Sequence, residues 1–418
     1  MIPGGNRPGA SHLSAAALGY AITFLFLVGM VCSGVLIISS VNKRLETNYT
    51  ISEHLVFDNY LSLLFGARLE NETARSIVHT AGDTSVVQIK SWGAYKVVVA
   101  KTFHGNRRIS RSALIGYRSD SELPALYLPE NSQALKLTGN TRIEGIAYLS
   151  ERGLDRGYIA GKNYENDQLL YGDQRKSESS LPKLHALFEN LSLASLISGT
   201  VKIDPIGKDS TFAFDQPTAL ISEIGPLYLN HRLSGNIILH SFDSIYVSSE
   251  AVLENVILIA PKIRFQKNFR GSVQAIAHES IVCEENVHLT YPSTLVMNET
   301  SPAFSQHRLI LLHEKAQVLG GILLVSQQSN FRMPVQLQLR AKSLVAGIVY
   351  NQGETELSGK VIGHLYTQRF FLRAGGGEYI NHLLDAVISS KQLPAEFIIP
   401  GWLADASLTS KSRILTCF

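Results

Sequence analysis

The chain has 418 residues, 45% of them hydrophobic, and its 38 basic and 35 acidic residues leave a net charge of only +3. With no run of Lys or Arg, this balance excludes a basic field for binding nucleic acid. The three cysteines form no disulfide framework, and no pair of them has metal-ligand spacing.

The first element in chain order is an uncharged run from Leu13 to Ile38, which follows a polar tail over residues 1–12. As a helix, this run is roughly 39 Å long, enough to cross a hydrocarbon core of about 30 Å. It therefore predicts a transmembrane helix over 13–40. The alternative is a cleaved secretory signal, whose apolar core is usually shorter, about 7–15 residues.

Apolar side chains continue beyond the membrane segment, mostly at intervals of four residues. This spacing predicts an amphipathic helical extension over 41–70. The stripe would pack either on the protein's own globular part or on a helix of a neighbour. It consists of Val41, Leu45, Tyr49, Val56, Tyr60 and Leu64.

A small β module is predicted over 71–130. Side chains alternate in polarity over 84–90 and 95–103, which indicates a hairpin with one solvated face. Ser91, Trp92 and Gly93 would form its turn, and 109–117 would add a third strand.

The longest predicted unit is an irregular parallel β-solenoid over 131–372. Ile245, Ile263 and Ile281 recur at an interval of 18 residues, and so do Ile257, Ala275 and Ser293. Such a period suits a chain in which each turn of short strands pairs with the next. Residues 137–148 are expected to pair with the later turns. The alternative is a β-sandwich whose spacing is coincidental.

Two regions depart from the repeat. Residues 149–181 are rich in Gly, Asn, Asp and Ser, which predicts a loop insertion, with Tyr158, Tyr164 and Tyr171 as a binding loop. Residues 373–418 are interpreted as a C-terminal cap. Within it, apolar residues at 380, 383, 384, 387 and 388 predict a short capping helix.

No stretch of the chain carries a recognisable catalytic or phosphate-binding motif. The densest group of potential ligands runs from His278 to His288, but its apolar centre suits a buried strand better than a metal site. We therefore expect no enzyme activity, no catalytic residues, no metal and no cofactor.

Two resemblances follow from these patterns. The polar leader, uncharged helix and helical extension before a β-rich head resemble minor pilin-like components of type IV pilus and type II secretion machines, although no Glu stands at the fifth position of the helix. The turns from about 233 to 372 resemble the polymer-forming bactofilin solenoids. These resemblances imply a bacterial single-pass envelope protein.

We therefore predict a membrane-anchored structural or assembly component of the bacterial envelope, in the inner membrane, with the large C-terminal part extracytoplasmic. Its predicted partners are membrane lipid, envelope proteins and further copies of itself, without nucleic acid. The alternatives are a carbohydrate- or protein-binding β-helix module and a membrane-tethered cytoskeletal scaffold. Bactofilin-type solenoids are cytoplasmic, which would favour the scaffold.

The uncharged run generates the first testable prediction. The full-length protein should sediment with membranes and be released by detergent but not by high salt or alkaline carbonate, because its anchor is held by apolar burial rather than by charge. Fractionation followed by immunoblotting measures this. Full-length protein in the supernatant without detergent would contradict the anchor.

Overall fold

The structure is a computed structural model that describes residues 15–69, 74–80, 82–118, 123–184, 196–204, 209–298, 308–325, 336–403 and 412–417. The part of the chain so described is mainly β and contains one helix, α1 (Ala15–Gly66). The membrane run and its extension are therefore one continuous helix, as the sequence predicts.

The strands follow α1 in chain order. They are β1 (Arg75–Val78), β2 (Thr84–Trp92), β3 (Tyr95–His104), β4 (Arg107–Arg118), β5 (Leu126–Tyr127), β6 (Leu135–Thr138), β7 (Arg142–Glu144), β8 (Ala147–Leu149), β9 (Leu154–Arg156), β10 (Tyr158–Ile159), β11 (Lys162–Asn163), β12 (Gln174–Lys176), β13 (Val201–Lys202), β14 (Ser210–Phe212), β15 (Ala219–Glu223), β16 (Leu227–Leu229), β17 (Arg232–Gly235), β18 (Ile237–Ser241), β19 (Ser244–Val247), β20 (Val252–Ile259), β21 (Lys262–Phe265), β22 (Arg270–Ala277), β23 (Ser280–Cys283), β24 (His288–Asn298), β25 (Leu309–Leu312), β26 (Gln317–Val325), β27 (Gln336–Leu339), β28 (Leu344–Leu357), β29 (Lys360–Ala374), β30 (Gly377–Ile380), β31 (His382–Leu384), β32 (Val387–Ser389), β33 (Ile398–Ile399) and β34 (Ser412–Cys417).

An antiparallel sheet follows α1 and has the order β1-β2-β3-β4-β33, with β34 also on β4. The predicted hairpin is confirmed, because β2 pairs with β3 throughout, from Thr84 opposite Phe103 to Trp92 opposite Tyr95. The predicted solvated face is present on β2, whose alternate side chains are exposed, but is wrong for β3. Val97 and Val99 pack on the large parallel sheet, whereas Val98 packs on α1, so that β3 is buried on both faces.

Most of the remaining strands form a large parallel sheet, whereas β10 pairs with β11 alone and β31, β6 and β9 form a small sheet of their own. From β13 to β29 the paired residues are 15–29 positions apart, and an interval of 18 recurs. Ile245 pairs with Ile263, and Ile263 pairs with Ile281, which confirms the predicted interval. We call these strands the parallel stack. The strands of one turn of the chain, which pair with those of the next turn, are a rung. Because the inward side chains of successive rungs lie above one another, they form one continuous apolar core.

Irregularities in the backbone shift the register within the stack. Asn255 has a φ of +57° and lies at a bulge, beyond which Ala275 pairs with Leu258 instead of Ile257. A second irregularity after residue 271 displaces Ser293. The predicted alignment of Ile257, Ala275 and Ser293 is therefore wrong, because each irregularity shifts the pairs that follow it within the same strand.

The end of the stack is made by two distant parts of the chain. Leu365 pairs with Leu126, and Ile388 pairs with Ile143, so the expected pairing of 137–148 with later turns is confirmed. The His364 imidazole, which is buried, lies 2.8 Å from the Pro124 carbonyl at this joint. Burial lowers the pKa of His364.

Residues 149–181, predicted as a loop insertion, contain β9 to β12, and β12 pairs with β8 in the terminal rung. Only one side of a terminal rung faces another rung. Its strands can therefore be short and polar. Strands of such composition resemble loops in the sequence and are not recognised there.

The predicted C-terminal capping helix over 379–388 is wrong. This stretch contains β30, β31 and β32. Asn381 and Asp385 both have a φ of +54°, a left-handed conformation that Asn and Asp tolerate and that interrupts a helix. Each lies at a corner between strands. Further along, β33 and β34 return to the antiparallel sheet on β4.

Two neighbouring residues of β20 test which side chains of this strand point into the apolar core of the stack. Leu253 is fully buried, whereas Val252 is 41% exposed. Leu253→Asp should lower the free energy of unfolding by roughly 3–5 kcal/mol, the cost of an uncompensated buried charge. Val252→Asp, the matched control, should change it by about 0.5 kcal/mol or less. Denaturant unfolding measures both, and equal midpoints would contradict this orientation of the strand.

Candidate functional site

The helix α1 divides into a free part and an attached part. From residue 17 to 50 its side chains are exposed, with Gly34 as the exception. Leu55, Leu63 and Ala67 are buried, and Leu63 and Ala67 pack on the antiparallel sheet. The helix approaches the sheet so closely at Gly66 that an added Cβ atom would lie 2.5 Å from a methyl group of Val98. This close contact fixes the direction in which α1 leaves the head.

Polar groups buried beneath α1 fasten it to the sheet. The Asn59 side-chain amide donates to the Ala100 carbonyl (2.9 Å) and to the Thr102 hydroxyl (3.1 Å). The Thr102 hydroxyl lies 2.7 Å from that of Ser85, which lies 2.8 Å from Nε2 of His79. The network thus joins the helix to two strands and to the segment after β1.

Within this network the fold brings together a Ser, a His and an Asp that sequence motifs did not reveal. The hydroxyl of Ser62 lies 3.2 Å from His79 Nε2, and His79 Nδ1 lies 3.4 Å from the Asp58 carboxylate. However, Ser62 is only 1% exposed, and its hydroxyl donates to the Asp58 carbonyl within the helix. The geometry therefore favours attachment of α1 over nucleophilic chemistry, which needs an accessible hydroxyl.

The opposite face of α1 carries large apolar side chains that remain exposed. Two adjacent rows at i, i+4 spacing run along it, which is the arrangement of neighbouring ridges on a helix surface. We call these six residues the exposed strip. They are Val56 (37% exposed), Tyr60 (46%) and Leu64 (37%) in one row, and Phe57 (57%), Leu61 (40%) and Phe65 (42%) in the other.

The sequence identified the row of Val56, Tyr60 and Leu64 but left its partner open. The structure shows that this row does not pack on the protein's own head. Sequence reasoning missed the signal of three polar residues, Asp58, Asn59 and Ser62, within an apolar segment. These three are buried between α1 and the sheet. The sheet meets polar side chains while the apolar rows face outward.

The exposed strip lies well beyond the apolar run of α1. Val56 lies 18 residues beyond Ile38, the end of that run. In a continuous helix this separation is about 27 Å, several times the thickness of a headgroup layer of about 5–7 Å. Lys43, Arg44 and Glu46 also lie on the intervening turns. A bilayer centred on the apolar run would therefore leave the strip uncovered.

The antiparallel sheet is also fastened to the parallel stack. The Ala94 backbone amide donates to Oε1 of Gln274 (2.6 Å), and Nε2 of Gln274 donates to the Trp92 carbonyl (2.9 Å). Gly93 between them has a φ of +59°, and a Cβ atom there would lie 2.3 Å from Gln274. Only Gly therefore fits this turn, which holds the sheet at a fixed place on the stack.

A cleft of about 570 Å³ opens beside this turn. Its described lining residues include no Asp, Glu, His or Cys. Lys90 lines it, and burial, followed by the nearby charge of Lys101, lowers the pKa of Lys90. Lys96 also lines the cleft, and two amines without a carboxylate or imidazole provide no acid-base pair for hydrolysis.

The three predicted loop tyrosines lie in different surroundings. Tyr158 is 67% exposed, whereas Tyr164 packs against the stack core and donates its hydroxyl hydrogen to the Gln168 carbonyl (2.5 Å). The Arg142 guanidinium lies 4.5 Å from the centre of the Tyr171 ring. Two of the three thus contribute to packing, and ligand binding by this loop stays a prediction.

The stretch from His278 to His288 forms parts of two rungs. Cys283 points into the core, and burial raises the pKa of its thiol. Glu284 accepts from Arg264 (2.6 Å), so its carboxylate has a partner. Among the residues described by the structure, no three His, Cys, Asp or Glu side chains converge as metal ligands would.

No protein-family model matches this chain, and no characterised protein matches it. Among solved structures, it is similar to the competence-associated pilin ComZ from Thermus thermophilus, with 9% sequence identity and a TM-score of 0.24. That match covers 83% of this chain and 86% of the pilin chain. A score this low does not establish a shared fold.

The buried polar network generates the third prediction. Asn59→Ala should lower the free energy of unfolding by about 1–3 kcal/mol, because it removes two buried hydrogen bonds that attach α1. The control is Glu53→Ala, an exposed change on the same helix, which should cost about 0.5 kcal/mol or less. Thermal unfolding in detergent compares them, and equal stabilities would show that Asn59 does not fasten α1.

Proposed function

We propose that this protein is a non-enzymatic, single-pass structural component of a bacterial envelope assembly. In this proposal the exposed strip of α1 docks against a helix of a neighbouring subunit anchored in the same membrane. The observation that carries the proposal is the strip itself, with six large apolar side chains turned away from the head.

The anchor is retained in this proposal. The described helix is long and apolar enough to cross a membrane, and it runs without interruption from Ala15 into the part packed on the sheet. Removal of a signal would cut this continuous helix. We place the head outside the cytoplasm, because a long C-terminal part translocates largely irrespective of the two charges at Lys43 and Arg44.

The parallel stack serves as a rigid body in the proposal, namely a β-solenoid. Its longest series of strands, each paired with the next, contains twelve described strands in the order β13-β15-β18-β20-β22-β24-β26-β28-β29-β5-β8-β12. At a spacing of about 4.8 Å this series extends over roughly 50 Å. A body of this length, held at a fixed angle to a membrane helix, suits a spacer or platform in a pilus-like or secretion machine.

A neighbouring membrane helix suits the strip energetically. Full burial of a large apolar side chain contributes about 1.5–3 kcal/mol, and burial of the remaining 37–57% of each of these six contributes roughly half of that. Two helices anchored in one bilayer are already confined and aligned, so less orientational freedom is lost on docking than between soluble partners. Gly29 and Ser33, spaced four residues apart within the membrane run, allow close helix approach there.

A second candidate function rests on another exposed surface. Tyr228 and Tyr246 stack with ring centroids 5.1 Å apart on consecutive rungs, and Tyr228 is 65% exposed. Ile224 (85%) and Phe242 (63%) occupy successive places at the adjacent corner. Such an aromatic surface favours binding of a protein or carbohydrate partner by the stack, in addition to docking by α1.

Site-specific photo-crosslinking in intact membranes tests the proposal. A photoreactive phenylalanine analogue in place of Phe57 should crosslink to a membrane-anchored subunit, because the strip is covered by its helix. Val78 is 77% exposed but lies off the helix, and provides the matched control position. Leu61→Glu should reduce the adduct at position 57 at least tenfold, because docking would bury its charge without a partner.

The identity of the crosslinked peptide decides the outcome. Adducts that map to a membrane-proximal helix of another subunit or copy support the proposal. Adducts at position 57 that contain only lipid or the protein's own head would contradict it, as would equal yields from positions 57 and 78.

A further inference from the structure

We propose that the membrane-facing end of the head binds the headgroups of anionic phospholipids. The binding surface is a basic collar composed of Lys43 and Arg44 on α1 and Arg107 and Arg108 at the start of β4. The inference rests on the membrane anchor of the proposed function but does not depend on docking by the exposed strip.

The direction of β3 brings the two arginines toward the membrane. The Asn59 side chain contacts Ala100, whereas Asn48, nearer the membrane, accepts two hydrogen bonds from Arg107 at 2.5 and 3.2 Å. Arg107 lies opposite His104, the last residue of β3. The strand therefore runs antiparallel to α1, and its turn points toward the uncharged run.

The distances place the collar within range of a charged bilayer surface. Lys43 and Arg44 follow Ile38 by five and six residues, about 8–9 Å along the helix, and Asn48 follows it by ten, about 15 Å. The headgroup layer extends about 5–7 Å beyond the hydrocarbon. The Debye length at physiological salt is about 8 Å. All four charges thus lie within about one Debye length of the headgroups.

The charges of the collar are available to an external anion. Lys43, Arg44 and Arg108 are exposed and have no ion-pair partner among the described residues. Arg107 uses its guanidinium to hold Asn48, an uncharged residue, and so keeps its charge uncompensated. Glu46 and Glu53 are the acidic side chains exposed on this part of α1.

The neighbouring titratable groups do not neutralise the collar. His104 lies 2.5 Å from the Asp83 carboxylate, and Asp58 faces His79 beneath the helix. These carboxylates therefore already have partners within the head. Four basic side chains against two exposed acidic ones leave a positive surface that faces the membrane and attracts anionic headgroups.

The test uses the full chain in nanodiscs of equimolar phosphatidylcholine and phosphatidylglycerol. After mild detergent extraction, the lipids that remain bound are counted by native mass spectrometry. The wild type should retain the anionic lipid at least fivefold over the zwitterionic one, and the preference should disappear at about 0.5 M NaCl because the charges are screened. A preference that resists salt would overturn the proposal.

The variant K43Q/R44Q/R108Q leaves Arg107 in place to hold the turn. Because each charge near the surface contributes roughly a factor of five, loss of three should abolish the preference, so that the triple variant binds both lipids equally. The matched control K136Q/R152Q/K202Q removes three exposed charges elsewhere and should behave as the wild type. Equal preferences in the two triple variants would overturn the proposal, and wild-type salt sensitivity decides it should the first variant fail to fold.

A further arm distinguishes a lipid surface from a phosphate site. Inorganic phosphate, added at constant ionic strength, should not reduce the preference more than chloride does. A selective effect of phosphate would overturn the lipid assignment. Failure of the protein to insert into nanodiscs would instead remove the anchor, and with it the proposed function.

Discussion

The architecture depends on one constraint, namely that β3, in the middle of the antiparallel sheet, is buried on both faces. Val98 packs against α1 on one side, and Val97 and Val99 pack against the parallel stack on the other. The helix α1 covers one face of β3, and the parallel stack covers the other. The sheet therefore transmits the orientation of the membrane helix to the stack through side-chain packing, and Asn59 and Gln274 fix the two contacts with hydrogen bonds.

The features that the sequence predicted correctly are those in which one interaction repeats. The uncharged run predicts α1, and the interval between Ile245 and Ile263 predicts the pairing of the rungs because each rung buries the same column. The register within β20 could not be followed beyond Asn255, because a bulge there shifts the later pairs of the same strand, whereas Ile263 and Ile281 keep the interval of 18. The composition gives no signal for an inserted residue of this kind.

The errors have a common physical origin, since they concern choices that only the tertiary structure makes. The apolar spacing over 379–388 suits a helix, but Asn381 and Asp385 adopt left-handed conformations that make corners. The rows of Val56 and Phe57 suit packing on the head, but buried polar residues take that place. A pattern of apolar residues shows that a surface must be covered, and it does not show whether the cover belongs to the same chain.

The joint at Leu365 and Leu126 has a consequence for the order in which the chain folds. Residues 123–176 leave the ribosome early, but the rung on which they stack extends over 360–389 and is synthesised about two hundred residues later. Contacts this far apart in sequence close slowly, because the intervening chain must first be ordered. The early strands therefore have open edges throughout synthesis, when unpaired strands are prone to aggregate. Strands of only two to four residues, as β5 to β12 are, offer few unpaired backbone groups during this delay.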